Sequence, residues 1–368
     1  MKILYVTTIS LTINTFFKPH IEMLVKQGNT VDIACNYNDL VIDPFYSDLG
    51  CKSYQIDFSR SPLSLDNVKA YKQLKKVVEN GDYDIVHCHT PNASMITRLV
   101  CRKYRKKNGL KVFYTAHGFH FYKGAPKLNW MVFYPIEKIC SRFTDKLITI
   151  NREDYALAQG KFNAKEVCYV PGVGIDLSKF EDIQVDKGAK RREIEVPENS
   201  FLLFSVGELN ENKNHQVVIK ALAKLRNPQI HYAIAGVGEK REYLLQLAKE
   251  LGVLKQVHLL GYRTDVMELY QCADVFIFPS IREGLSVSLM EAMASGKPIV
   301  CSCIRGNTDL VDESNGCLFS SYSVDECKNA IENIIKSELN DISNNNLEKI
   351  LLFSKNRVLE KMKDIYEV

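Results

Sequence analysis

The chain has 368 residues, 46% of them hydrophobic, and its 48 Lys and Arg exceed its 44 Asp and Glu by 48 − 44 = 4. That length and apolar content support sizeable cores and about two domains at roughly 100–200 residues each, while so small a surplus gives no argument for nucleic acid as a partner. Eleven irregularly spaced cysteines, no secretory pattern at the amino terminus and no apolar run near the ~20 residues that span a bilayer read as a soluble cytoplasmic protein, free to touch a membrane surface peripherally.

In chain order, strand-like Ile3-Leu4-Tyr5-Val6-Thr7 precedes a helical pattern over 16–27 that Gly28 ends, and 31–35 reads as a second strand. Further β-like runs stand at 85–88, 111–115, 146–150 and 167–170, with helical segments such as 65–79 between them. Strands alternating with helices predict parallel βαβ units. Residues 176–200 turn polar and lose periodicity, so 181–199 is read as a linker between a first domain over 1–180 and a second over 200–350. The second series places strands at 201–206, 231–235, 257–260, 275–278 and 298–303 and helices at 215–225, 240–251 and 265–272. Asn344-Asn345-Asn346 reads as a polar loop, and the tail over 346–366 has the spacing of a packing helix, whose end at 351–368 is expected to cross back to the first domain.

The segment from Arg282 to Pro298 carries the most chemistry. Ser286 is a natural N-cap, Gly296 a terminator, and Pro298 forbids continuation, so a helix of about ten residues is expected between them. Its sides bear Val287, Leu289, Met290, Ala292 and Met293, which leaves Glu291 as a carboxylate in an apolar helix. Burying that charge costs several kcal/mol unless a partner is present, so Glu291 is expected to face a ligand cleft. Glu283 stands just before the helix start, where free N–H groups and the helix dipole attract phosphate.

Two α/β domains with this Glu-x7-Glu run resemble a retaining glycosyltransferase of the GT-B fold, family 4, in which two Rossmann-like domains face a central cleft. The resemblance also rests on Asp84-Ile85-Val86-His87-Cys88-His89, Thr115-Ala116-His117-Gly118, Val173-Gly174-Ile175-Asp176, Gly207 through Lys213 and Gly236-Val237-Gly238-Glu239. It implies that His117, Glu283 and Lys213 act at the reaction centre, with His117 and Glu283 beside the donor sugar and Lys213 on the phosphates. Glu291 would bind the ribose, the backbone of Gly284, Leu285 and Ser286 the diphosphate, and Gly207 and Gly236 would let the chain pass close to the donor. Glu208 stands where such proteins usually carry a second phosphate-binding Arg, which leaves Arg282 or Arg263 to share that load or Lys213 to act alone. The implied donor is a UDP-sugar, used as substrate with no further cofactor and no metal. The implied acceptor is a polyprenyl-diphosphate-linked saccharide of capsule, exopolysaccharide or O-antigen assembly.

Other readings of these motifs are weaker. Asp82-Tyr83-Asp84 has the form of an Asp-x-Asp metal motif but precedes a strand instead of following one, and Cys301-x-Cys303 has no second ligand pair nearby. Gly236-Val237-Gly238-Glu239 lacks the third glycine of a dinucleotide fingerprint, which disfavours a dehydrogenase. His87, His89 and His120 are equally compatible with turn or core roles. Two alternatives remain on the same fold: a non-hydrolysing nucleotide-sugar epimerase and a non-catalytic partner subunit. Residues 98–111 hold seven basic side chains and no acidic one, either a solvated helix face or a patch for anionic lipid headgroups. Trp130, Phe133 and Tyr134, after Lys123 and Lys127, suggest an interfacial element beside it.

Overall fold

The computed structural model describes residues 1–59, 61 and 64–367, and it divides the chain into two compact units, 1–173 with 356–368 and 174–355. The first is built on β1 (Lys2–Ile9), β2 (Thr30–Asn36), β3 (Ser53–Gln55), β4 (Ile85–His89), β5 (Lys111–Ala116), β6 (Lys146–Thr149) and β7 (Glu166–Tyr169), all parallel, in the order β3-β2-β1-β4-β5-β6-β7. The second is built on β8 (Phe201–Val206), β9 (Ile230–Ala235), β10 (Val257–Gly261), β11 (Val275–Phe278), β12 (Ile299–Ser302) and β13 (Gly316–Phe319), again parallel, in the order β10-β9-β8-β11-β12-β13. Every residue of β4, β9 and β11 is buried, as both faces of a helix-covered parallel sheet require. Strand order reverses between β1 and β4 and between β8 and β11, so the carboxyl ends of those strands are where each sheet opens a ligand crevice.

Residues 181–199 are not a linker. The helix Lys187–Glu193, capped by Asp186, lies inside the second unit. Arg191 is buried there, and its guanidinium donates to the carbonyls of Cys272, Glu198 and Ser200 and to Asp274, while Lys190 pairs with Asp265 and Glu268. The charge run that resembled solvated chain is spent on internal contacts. The boundary falls at Val173/Gly174 rather than near residue 180.

The tail is not one helix. Leu339–Ile350 and Lys355–Tyr366 are separated by a turn of 3-10 helix at Leu351–Phe353, where Ile175 and Ser354 form a β-bridge. Asn346, expected in a loop, is buried inside the helix Leu339–Ile350 and exchanges hydrogen bonds with Asn315. Residues 356–368 belong to the first unit, where Val358, Met362 and Tyr366 join the core of Ile3, Tyr5 and Phe17, and Val368 lies outside the described residues. Replacing Arg191 with Met should cost about 3 kcal/mol, the order expected when a buried charge network loses one partner. Urea unfolding monitored by circular dichroism would read it, and a change below about 0.5 kcal/mol, as at an ordinary surface site, would return this segment to a linker.

Candidate active site

In the second unit the loops after β8, β11 and β12 are bound to one another. Leaving β8, Gly207 makes room for the stem of Lys213, whose Cγ, Cδ and Cε lie 3.2–3.4 Å from where a Cβ would stand. Lys213 Nζ crosses the ring of Phe278 at 4.7 Å and donates to Glu283 Oε1 at 2.8 Å. Ile281 N donates to Asn212 O at 2.8 Å and Asn212 Nδ2 to Arg282 O at 3.0 Å, so the loop bearing the cation and the loop bearing the carboxylate move as one. Both charged side chains remain 15–19% exposed.

The helix that follows is Val287–Ala294, shorter than expected, with Ser286 as N-cap accepting from Leu289 N, and Gly296 at φ +65 ends it. Leu289, Met290, Ala292 and Met293 are fully buried. Glu291 is half-buried, and burial pushes its carboxyl above the usual carboxylate range, against a hydrogen bond that Tyr270 OH donates to Oε2 at 3.1 Å and the charge of Lys179. The turn before the helix is clamped from below: a Cβ at Gly306, where φ is +81, would meet Gly284 O at 2.2 Å, and buried Arg305 donates from Nε to Glu283 O at 3.1 Å. Sequence reasoning did not reach Arg305. Its signal was position, one residue before a glycine just beyond β12.

Three further sequence expectations have these surroundings. Arg263 pairs with Glu193 and Asp265, in the same cluster as Lys190. Glu208 is exposed and accepts from Asn210 Nδ2, and Arg282 is exposed on the loop surface. Gly236 and Gly238 have a reason inside the protein: Cβ atoms there would lie 1.9 Å from Gly207 O and 2.5 Å from Leu209 O. They let the β9 exit press on the β8 exit, so they shape the site without need of a ligand.

At the switch point of the first unit β4 carries His87 and His89, and His117 follows β5, with Gly118 at φ +124. His89 Nδ1 lies 3.2 Å from His117 Nε2, and His87 holds Thr115 Oγ1 at 2.8 Å and the hydroxyl of Tyr366. His20 completes the group, edge-on to Phe17, which packs on His89. Burial drives all four below the ordinary histidine range, to about 4 for His117 and His20, so they are neutral near pH 7. His117 can therefore exchange hydrogen bonds with a ligand but brings it no charge. His120 stands apart, its ring tilted against that of Phe133 at 4.8 Å.

Residues 2–151 match the family described as glycosyl transferase 4-like, and residues 186–350 match glycosyl transferases group 1. EpsD of Bacillus subtilis (strain 168), assigned as a glycosyltransferase, is 36% identical over 372 residues, covering 99% of this chain and 96% of its own. The chain belongs to the glycosyltransferases. A second relative, the UDP-Gal:alpha-D-GlcNAc-diphosphoundecaprenol alpha-1,3-galactosyltransferase of Escherichia coli, is 26% identical over 94% of this chain and 90% of its own. HepE of Anabaena, solved with UDP and glucose, has the same fold at a TM-score of 0.78 and 19% identity, each chain covered to 99%. The two parallel-sheet units are those of GT-B glycosyltransferases.

Two surface expectations for this glycosyltransferase change. The basic run is partly internal: Arg98 is fully buried, its Nη1 2.8 Å from Glu137 Oε2 and its guanidinium over Tyr114, and Arg105 pairs with Asp145. Arg102, Lys103, Lys106 and Lys107 stay exposed. In the helix Lys127–Ser141, Trp130, Phe133 and Tyr134 pack against the first unit's core instead of facing outward, and the exposed apolar residues are Leu128, Met131, Val132 and Ile139. Among the described residues no helix is long and apolar enough to cross a membrane.

The histidine cluster sets a pH dependence. His117 and His20 titrate near 4 when folded and near 6.5 when unfolded, so between those values the unfolded state binds more protons. Stability should be complete above about pH 6.5, fall as pH drops towards about 4, and level off below. Urea titrations from pH 8 to 3.5 would read this slope, and a His20→Phe variant with an unaltered slope would exclude that residue from it.

Proposed function

We propose that this glycosyltransferase transfers a sugar from a UDP-sugar to a polyprenyl-diphosphate-linked saccharide, with retention at the anomeric carbon and without a metal, in surface polysaccharide assembly. The observation that carries the reading is the Lys213–Glu283 pair beside the turn Gly284-Leu285-Ser286 that opens the Glu291 helix. Lys213 and the N–H groups of that turn would take the diphosphate and neutralise the charge that builds on it as the anomeric bond breaks. Glu291, one oxygen already held by Tyr270, would offer the other to the ribose hydroxyls, about 7.5 Å along the axis from the cap. Glu283 would contact the transferred sugar, and the acceptor hydroxyl would attack from the face the diphosphate leaves. The Escherichia coli relative, whose name gives UDP-Gal as donor and a diphosphoundecaprenol-linked sugar as acceptor, supports both substrate classes.

Lys213→Ala should lower kcat by about 10²–10³, the range for loss of one preorganised donor at a developing anion. Glu291→Gln should raise the donor KM by about ten- to a hundredfold, since a hydrogen bond to a charged group contributes about 1.5–3 kcal/mol. Both are read by mass spectrometry of product on a lipid-linked saccharide. Wild-type turnover in the Lys213 variant would refute its role, a product formed from UDP-sugar alone would favour the epimerase, and nucleotide binding without turnover the partner subunit.

An acceptor held in a bilayer calls for a membrane-facing surface. At 3.6 residues per turn Leu128, Met131, Val132, Pro135 and Ile139 fall within an arc of about 100° on the helix Lys127–Ser141, with exposed Lys127 and Lys138 at its margin. This stripe is proposed to lie in the headgroup region. A Met131→Asp/Ile139→Asp variant should co-sediment with phosphatidylglycerol vesicles at least about tenfold less than the parent, each large apolar side chain contributing about 1.5–3 kcal/mol when buried. Equal co-sedimentation would show that the stripe is not the contact.

A further inference from the structure

Beneath that stripe lies a cavity of about 340 Å³ within the first unit, walled by Met95, Phe119, Phe121, Leu128, Val132 and Phe133. Its one charged lining residue, Glu137, is answered from inside by Arg98 and by the hydroxyl of Tyr114 at 3.4 Å. The interior is therefore apolar and electrically closed, the kind of space that excludes water and accepts hydrocarbon. Leu128 and Val132 belong at once to the cavity wall and, at 67% and 43% exposure, to the outer stripe, so hydrocarbon outside the protein is one side chain away from the interior.

On its other side the cavity shares Pro91, Asn92, His120 and Phe133 with a second pocket of about 260 Å³, which adds Thr8, Thr12 and Thr90. This second space sets three threonines beside Ile9, Pro91 and Phe133, so it is mixed in character and less apolar than the first, and it stands at the carboxyl ends of β1 and β4, the switch point of the sheet. The hydroxyls of Thr8 and Thr90 lie 2.7 Å apart there. An apolar chamber next to the stripe thus adjoins a smaller pocket with three threonines at the ligand-binding edge, an arrangement that matches a molecule with a hydrocarbon tail and a polar head.

We propose that the apolar cavity binds the isoprenoid chain of the lipid-linked acceptor directly, with the first polar group of its head lying at the threonine-lined pocket. The assignment rests on the lipid-linked reading above and deepens it. At about 30 Å³ per small group the cavity holds roughly ten non-hydrogen atoms, or two five-carbon units, so the rest of the chain stays in the bilayer. The protein then reads the lipid as well as the sugar.

Trp130 is the single tryptophan of the chain and packs 5.5 Å from the cavity residue Phe121, so its emission reports occupancy. Geranyl diphosphate, a ten-carbon probe, titrated into the full chain should shift that emission saturably, and inorganic diphosphate at the same concentration should not. Val132→Asn, at a half-exposed position that tolerates a polar side chain, should weaken the probe's Kd by about tenfold, equivalent to 1.4 kcal/mol. Met131→Asn, on the stripe but outside the cavity wall, should leave it within twofold by the same measure. No shift, an equal shift with inorganic diphosphate, or equal losses in the two variants would overturn the assignment. Saturable, Val132-dependent binding in a protein that transfers no sugar to a lipid-linked saccharide would uphold the cavity and defeat the proposed reaction instead.

Discussion

A Cβ at Gly236 would stand 1.9 Å from the carbonyl of Gly207, and one at Gly306 2.2 Å from that of Gly284. No side chain fits either gap, so the loops leaving β8, β9, β11 and β12 meet backbone to backbone. The Lys213–Glu283 side of the second unit's site hangs on those two contacts. With the loops pressed together Asn212 reaches the Arg282 carbonyl, Lys213 reaches Glu283 and Arg305 reaches the carbonyl of Glu283. The cation and the carboxylate are held before any ligand arrives, which is the condition under which fixed charges contribute most to a transition state.

The first unit solves an electrostatic problem of another kind. It buries Arg98 and Glu137 together and gathers His20, His87, His89 and His117 around Tyr5 and Phe17. The ion pair is neutralised by its partner, the imidazoles by loss of the proton. Both arrangements leave the interior without net charge, and both are needed if an apolar chamber and a neutral hydrogen-bonding His117 are to stand close to the same sheet edge. Removing one partner of Arg98–Glu137 would leave a buried charge alone, at a cost of roughly 3–5 kcal/mol.

Much of the architecture was legible because parallel strands buried on both faces write themselves as short apolar runs; 201–206, 275–278 and the helix 215–225 coincide with the observed elements. The Glu291 helix was legible for the same reason, since Ser286, Gly296 and Pro298 have only one comfortable reading. What failed was charge. Residues 181–199 and Arg98 read as solvent-facing in the sequence, yet their charges are answered by acids or carbonyls distant in sequence: Asp274 for Arg191 and Glu137 for Arg98. Asn346 misled in the same way, because its buried partner Asn315 comes from another loop. A charged or amide side chain states that it needs a partner, and only the fold states which one.

The helix Lys127–Ser141 shows how such an error carries information. Trp130, Phe133 and Tyr134 drew attention as amphipathic aromatics, but large rings bury 150–250 Å² each and gain most in a core. Once the rings turn inward, helical geometry forces Leu128, Met131, Val132 and Ile139 to the opposite side, where nothing among the described residues covers them. A monomeric soluble surface rarely keeps so continuous an apolar stripe without a use for it. The same rotation places Leu128 and Val132 over a chamber walled by the inward ring of Phe133, so one helix fixes both the outer apolar surface and the inner apolar cavity. A lipid-linked acceptor is the substrate class for which both would be needed together.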